Sequence, residues 1–380
     1  MPYWLLLCCS VVIFFVLYAV QPLLALFAQQ YQVSPASAGS LMTLTMLPLA
    51  IAPLFYGVFL NRRNLYRVLQ IVMLMLAVSN ALVPLCTEFW QLQSLRLLQG
   101  LALPAALTAM TASIALRFKR EDINTKMSGY IGSTIAGGFL GRALAAGFAE
   151  YLSWQSFFWL NSLLLILLAL LIRAKTEPVY QAHTPWRGNI KALATTRIIS
   201  LYGAVFCMFF CFAALLNYLP FILRSTYAMS STKNIGLVYS GYLLGALATL
   251  ITPYLHRRFR NVFALLGGVF IFYCATIVLM FYQHLSVFLI AFTCFCAAMF
   301  IIHASAAPLV NRLSSASASL TNGVYVSFYY SGGALGSFLP GLLYQEYGEY
   351  AFLTCILLVC LMGYGLIVLP QRLATGNTKG

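Results

Sequence analysis

Acidic side chains are almost missing from this sequence. Seven Asp and Glu stand among 380 residues, against 22 Lys and Arg, and charged residues of both signs make up only 8% of the chain. A soluble domain carries about a quarter charged residues, so this chain lacks the polar groups to cover a water-facing surface. A soluble enzyme, a nucleic-acid-binding domain and a disordered polymer are all excluded on that ground. Histidine is as scarce: His183, His256, His284 and His303 are scattered along the chain. Paired carboxylates or clustered histidines would be the mark of a catalytic or metal centre, and neither occurs, so no cofactor and no metal are expected. The ten cysteines (Cys8, Cys9, Cys86, Cys207, Cys211, Cys274, Cys294, Cys296, Cys355, Cys360) lie in or at the ends of apolar stretches. Their spacing matches neither a metal site nor a disulfide framework, and they read as small core residues. No small-residue cleavage site interrupts the first apolar run, which is long enough to span a bilayer.

What is present is apolar: 62% of the residues are hydrophobic. Turn and charge signals cut the chain into twelve apolar segments, near 4–27, 39–60, 68–86, 91–116, 127–149, 156–173, 198–222, 235–255, 261–282, 286–309, 320–344 and 350–369. Each can cross ~30 Å of hydrocarbon as a helix. The expectation is an all-α membrane protein of twelve transmembrane helices. With the N-terminus inside, 18 basic residues fall in inner loops and only Arg224 and Lys233 in outer ones. That asymmetry predicts both termini in the cytoplasm. Trp4, Trp90 and Trp154 fall at span ends, as interfacial anchors do.

The longest loop is polar and basic. It divides the chain into an N-terminal six-helix bundle over 1–173, a cytoplasmic linker over 174–197, a C-terminal six-helix bundle over 198–372 and a cytoplasmic tail over 373–380. The halves echo each other at an offset of 195: Asn61-Arg62-Arg63 with His256-Arg257-Arg258, and Gly137-Gly138-x-x-Gly141 with Gly332-Gly333-x-x-Gly336. Six helices apart, the copies share an orientation, which makes a parallel repeat about the membrane normal. Such folds hold their substrate near the midplane and rock about it. Small residues recur every fourth position in span five (Gly129, Ser133, Gly137, Gly141, Ala145), a face on which backbones approach closely.

Two arginines, Arg96 and Arg142, fall inside spans four and five. Each is costly in hydrocarbon unless it faces a cavity or a partner. Both sit at one depth in the outer half of the N-terminal bundle. Either they meet a substrate, or they bond to backbone carbonyls, or they reach outward past Glu88 or Glu150. No carboxylate lies deep in a span; Glu88, Glu150, Glu346 and Glu349 read as external or at the boundary. A cavity holding the arginines would therefore favour anionic or zwitterionic compounds. Tyr18 and Gln21 beside Pro22, Asn217 and Tyr218, and Asn322, Tyr329 and Tyr330 are further pocket candidates, each open also to plain interhelical hydrogen bonding. His303 could carry a proton near neutral pH or be a satisfied structural residue.

These residues resemble those of the major facilitator superfamily over essentially the whole chain. Arg96-Leu97-Leu98-Gln99-Gly100 is similar to its R-x-x-Q-G motif, and Gly132 to Arg142 to the glycine-rich motif of its antiporter branches. Tyr18-Ala-Val-Gln21-Pro22, Val33-Ser34-Pro35 and the run from Asn322 to Gly341 resemble the bacterial YnfM-type, arabinose efflux permease-like subgroup. The resemblance implies alternating access and proton-driven efflux of small molecules through the bacterial inner membrane. It carries a structural and coupling role to Arg96, Gln99 and Gly100, and a packing, antiport-associated role to Gly137, Gly138 and Gly141; Arg142 matches an arginine usual in the subgroup. The superfamily's loop motif, roughly G-x-x-x-D-R-x-G-R, appears as Gly57-Val-Phe-Leu-Asn61-Arg62-Arg63-Asn64. Asn61 replaces the acidic residue, so the associated latch is weaker or differently built. The acidic residue that many cationic-drug antiporters carry in span one is absent too. The expected partners are a small-molecule substrate, protons and membrane lipid, with no nucleic acid. A monomer suffices. An importer of an organic anion or of a carboxylate-type metal chelate such as a siderophore is the alternative on the same fold.

Overall fold

The computed structural model describes residues 1–52, 55–56, 63–172, 193, 195–259 and 261–376. Gly57, Arg62 and most of the expected linker lie outside these. The described residues form helices and their connections, with no strand among them. The helices in chain order are α1 (Tyr3–Tyr18), α2 (Leu24–Gln30), α3 (Pro35–Ile51), α4 (Leu65–Leu82), α5 (Phe89–Arg117), α6 (Arg120–Tyr151) and α7 (Trp154–Leu171). They continue with α8 (Thr196–Ser225), α9 (Thr232–Val238), α10 (Ser240–Leu247), α11 (Thr252–Arg258), α12 (Val262–Met280), α13 (Leu285–Leu313) and α14 (Ala318–Gly376).

Nine helical stretches among the described residues are long and apolar enough to cross a membrane. Four expected spans take other forms. The second is the shorter helix Pro35–Ile51, and its expected inner end lies outside the described residues. The fifth is part of α6, whose first turns carry Glu121, Asp122 and Lys126. The last two run together as Leu320–Leu369, broken at Gly348 (φ 76°, ψ −166°). A positive φ of that size is reached at low cost only by glycine, and here it separates two helices without a long loop.

Two compact units divide the chain. The first comprises the described residues within Met1–Val33, Ser40–Pro185 and Met229–Tyr239; the second, those within Ser34–Gly39, Trp186–Ala228 and Ser240–Gly380.

In the first unit, α6 lies directly on α1. A Cβ at Gly137 would stand 2.7 Å from the Val11 carbonyl oxygen, and one at Gly141 would stand 3.0 Å from Phe15 Cα. In the second unit α14 lies on α8 in the same way, with Gly332 against the Phe206 carbonyl and Gly336 against the Phe210 carbonyl. From Gly137 to Gly332 and from Val11 to Phe206 the step is 195 positions in each case. The small-residue faces and the backbones they touch are thus repeated together, and close backbone approach replaces the hydrophobic drive that lipid removes.

Local sequence sets the helix ends. Asn64 and Asn261 cap α4 and α12 by accepting two backbone N–H groups each. Glu88 and Gln91 form a reciprocal capping box at the start of α5. The first span is not continuous. Pro22 has no N–H to give the Tyr18 carbonyl, and α1 stops at Tyr18; a short 3-10 turn over Gln21–Leu23 leads into α2. That leaves carbonyls of the last turn of α1 in need of donors inside the bundle.

Candidate functional site

The break in the first span is where both intramembrane arginines converge. Arg96, on α5, is fully buried. Its Nη1 donates to the Val16 carbonyl (2.7 Å) and its Nη2 to the Leu17 carbonyl (3.1 Å), while Nε donates to the Leu41 carbonyl of α3 (3.2 Å). A cation thus sits at the C-terminal, negative end of α1, where the helix dipole favours it. Nη1 also donates to Gln99 Oε1 (2.7 Å), and Gln99 Nε2 donates on to Asn80 Oδ1 (3.4 Å). Gly100 lets α5 lie against α3 at Thr45 and Leu44, whose carbonyl oxygens a Cβ would meet at 2.7 and 2.8 Å. The geometry of Arg96 is that of a cross-brace among α1, α3 and α5, made largely with backbone carbonyls.

Arg142, on α6, reaches the same break. It too is fully buried. Its Nε donates to Gln21 Oε1 at 2.6 Å and its Nη1 to the Gly138 carbonyl at 2.8 Å. The guanidinium carbon lies 4.2 Å from the Tyr18 ring centroid and 5.2 Å from that of Tyr239. Such cation–π contacts hold a guanidinium without neutralising it. Tyr239, fully buried in the Met229–Tyr239 segment of this unit, completes the site. Nothing local in the sequence marks it; only the fold brings it to Arg142. Gly236 of the same segment packs on α6 at Ala146. The segment is further tied to α6 by the Thr232 backbone N–H donating to Glu150 (2.9 Å) and Lys233 Nζ donating to the Tyr151 hydroxyl (2.5 Å).

The candidates in the second unit fall into separate places. Asn217, fully buried, donates from Nδ2 to Ser337 Oγ (2.6 Å), and Ser337 Oγ donates to the Gly333 carbonyl (2.7 Å). The buried Tyr218 hydroxyl lies 3.4 Å from the carbonyl oxygens of Pro35 and Ser337. His303 Nδ1 is 2.9 Å from the Tyr325 hydroxyl, and its ring centroid is 4.9 Å from that of Tyr329. Tyr329 stacks on Phe209 at 3.6 Å, with Tyr330 edge-on to both. Tyr325 and Phe209 were not singled out by the sequence.

Asn322 does not join these residues. It is exposed near the start of α14, where its Oδ1 accepts from Asn311 Nδ2 at 2.7 Å. Arg63, also exposed, stands at the entry to α4. Glu349, read as external or at the boundary, directly follows the break at Gly348 and is 8% exposed.

A fully buried guanidinium beside aromatic faces can bind a carboxylate or phosphate through paired N–H donors, while the rings receive an apolar or planar body. That is chemistry of recognition and passage, not of bond breaking. Among the described residues no group of three or more His, Cys, Asp or Glu is placed to hold a metal ion.

Solved structures of this build are transporters. A bacterial homologue of the human lysosomal transporter Spinster superposes with a TM-score of 0.80, covering 97% of this chain and 96% of its own, at 14% identity. The nucleoside transporter NupG gives 0.75 over 97% of this chain and 98% of its own, also at 14% identity. Likeness at such identity establishes the fold alone. The sequence itself establishes more: this chain belongs to the Major Facilitator Superfamily, whose profile matches residues 6–339. It is therefore a multi-pass membrane transport protein and not an enzyme. Among its relatives, the MFS-type transporter YybF of Bacillus subtilis is 22% identical over 97% of this chain and 93% of its own length. The inner membrane transport protein YnfM of Escherichia coli is 25% identical over 37% of this chain and 34% of its own.

Proposed function

We propose that the protein is a secondary active transporter of the bacterial cytoplasmic membrane. It works by alternating access, with twelve spans in two six-helix bundles and both termini in the cytoplasm. It exports a small anionic or amphiphilic compound in exchange for protons, and it acts as a monomer. One observation carries this reading: the buried Arg142 guanidinium, held by Gln21 and the Gly138 carbonyl and flanked by Tyr18 and Tyr239, at a break in the first span. Among secondary transporters in general, discontinuous helices typically form the sites for cargo and coupling ions. Most of the chain's few carboxylates lie at helix ends or in loops, so a compound entering the first unit meets a positive field.

In this account Arg142 receives the anionic group, Tyr18 and Tyr239 receive the apolar body, and Gln21 holds the guanidinium in register. Arg96 keeps the break open by satisfying its carbonyls, and Gln99 holds Arg96 in place by accepting from Nη1. His303, Tyr325, Tyr329 and Phe209 are a second candidate lining set, within the second unit. The paired glycine faces let α6 and α14 slide on α1 and α8.

The test compares small-molecule profiles inside cells and in the medium for a deletion strain, the strain restored, and the strain restored with Arg142→Gln. Export of an anion predicts an acidic compound retained by the deletion strain and by the Arg142→Gln strain, and released only by the wild-type copy. A compound left in the medium by the deletion strain makes the protein an importer. Loss of export of cations alone overturns the assignment of Arg142.

A further inference from the structure

The second unit holds a carboxylate that the account above does not use. Glu349 follows the Gly348 break, at the start of the last span, and is 8% exposed. Its Oε2 accepts a hydrogen bond from Thr226 Oγ1, at the end of α8. The Gln283 amide, in the turn before α13, lies beside the same carboxylate. Its Oε1 is buried and has no partner. No basic nitrogen pairs with it among the described residues.

An isolated buried carboxylate is strongly unfavourable: either it takes up a cation or it is neutralised by a proton. A second orphan lies close by. The Tyr227 hydroxyl, one residue beyond Thr226, is buried without a partner. Burial, reinforced by the Glu349 charge, pushes its phenol up to about 12, so it remains a neutral hydroxyl. The other titratable groups at this end are Arg224 on α8, which has its own contacts, His284 at the start of α13, and Tyr344, Glu346 and Tyr350 on α14. Tyr344 is taken up by Ser225 Oγ (2.9 Å), and Glu346 is exposed and accepts from Gln345 (3.0 Å).

We propose that Glu349, with the Tyr227 hydroxyl, forms a binding site for one small monovalent cation, a proton or an alkali-metal ion, at the joint of α8, the α12–α13 turn and the last span. The donors are hard oxygens: a carboxylate, a phenol and the Thr226 hydroxyl. They suit those two cations and no soft metal. Loading neutralises Glu349 and stabilises the joint; unloading leaves a buried charge that favours opening it. As a coupling site it rests on the transport reading, but binding is measured without transport.

The experiment uses purified full-length protein in detergent. Infrared spectroscopy of the wild type reads whether a carboxyl group is protonated near neutral pH. Thermal unfolding is followed from about pH 5 to about pH 8, and with sodium or potassium chloride against choline chloride at equal ionic strength. A proton occupant predicts a protonated-carboxyl band and a midpoint that falls as pH rises. A group protonated in the folded state contributes stability at low pH, and that contribution is lost as pH rises through its folded pKa. An alkali-ion occupant predicts no such band and a midpoint that rises with sodium or potassium over choline. Glu349→Gln should abolish whichever response is seen, and Tyr227→Phe should weaken it. An ionised carboxylate in the wild type, with neither response, overturns the proposal; so does a response unchanged in Glu349→Gln. Should Glu349→Gln fail to fold, the wild-type spectrum and ion titration still decide. Failure of transport with binding intact would count against the transport reading alone.

Discussion

Arg96 and Arg142 have equal burial and opposite surroundings, and that difference separates their roles. Arg96 meets the carbonyls of Val16, Leu17 and Leu41. Removing it orphans three acceptors inside a bundle, at about 1–3 kcal/mol each. Arg96→Met should therefore lower the thermal midpoint and the yield of monodisperse protein. Arg142 is flanked by Tyr18 and Tyr239 and donates to a side-chain amide. Arg142→Gln should keep the fold and lose transport of an acidic substrate, while Arg142→Lys restores charge without the planar fork and should recover only part. Thermal unfolding and transport measured on the same preparations check both. If Arg96→Met is stable and Arg142→Gln is not, the roles are reversed.

Among the helices, the close seams are the feature most legible in sequence. Small residues at four-residue spacing in span five predicted a tight face, and Gly137 and Gly141 lie on a partner backbone; Gly332 and Gly336, read as the repeat of that motif, do the same. Gly332→Ala drives a methyl into the Phe206 carbonyl and should destabilise strongly. Gly132→Ala meets nothing within 4 Å and should be neutral or stabilising by up to about 1 kcal/mol through helix propensity. Thermal midpoints of the two variants, side by side, check the seam; equal midpoints would refute it. Less legible were sites made by breaks. Pro22 suggested a bend and backbone carbonyls were one alternative for Arg96, yet nothing tied Arg96 to the end of α1. Gly348 lies among polar and aromatic residues (Gln345, Glu346, Tyr347, Glu349, Tyr350) that read as a boundary loop. The positive φ at Gly348, beside the buried Glu349, is a backbone property that composition does not show.

Across the whole molecule, the repeat is clearest where the two units differ. Gly138 and Arg142 have Gly333 and Ser337 as counterparts 195 positions on; each accepts or donates across one helical turn, and each polar side chain meets an amide, Gln21 or Asn217. The positions are kept and the charge is not. One unit holds a guanidinium where the other holds a hydroxyl; on the proposed reading, a single charged group of a cargo is recognised by the first unit. Hydropathy and the positive-inside bias carried the membrane class and the expected orientation. They could not find Tyr239, because 229–239 is assigned to the first unit only by folding. Reporter fusions at the C-terminus and after α2 should place the first inside and the second outside; the opposite pattern would refute the orientation.

The central claim is that Arg142 recognises a transported anion. Its most direct test reconstitutes wild type and Arg142→Gln into proteoliposomes and measures movement of the acidic compound that the deletion strain retains. The account predicts that wild type moves it faster at an imposed proton gradient. It predicts at least a tenfold loss in Arg142→Gln, about 1.4 kcal/mol or more of lost binding, with an unfolding midpoint close to wild type. Equal movement by the two proteins would contradict it.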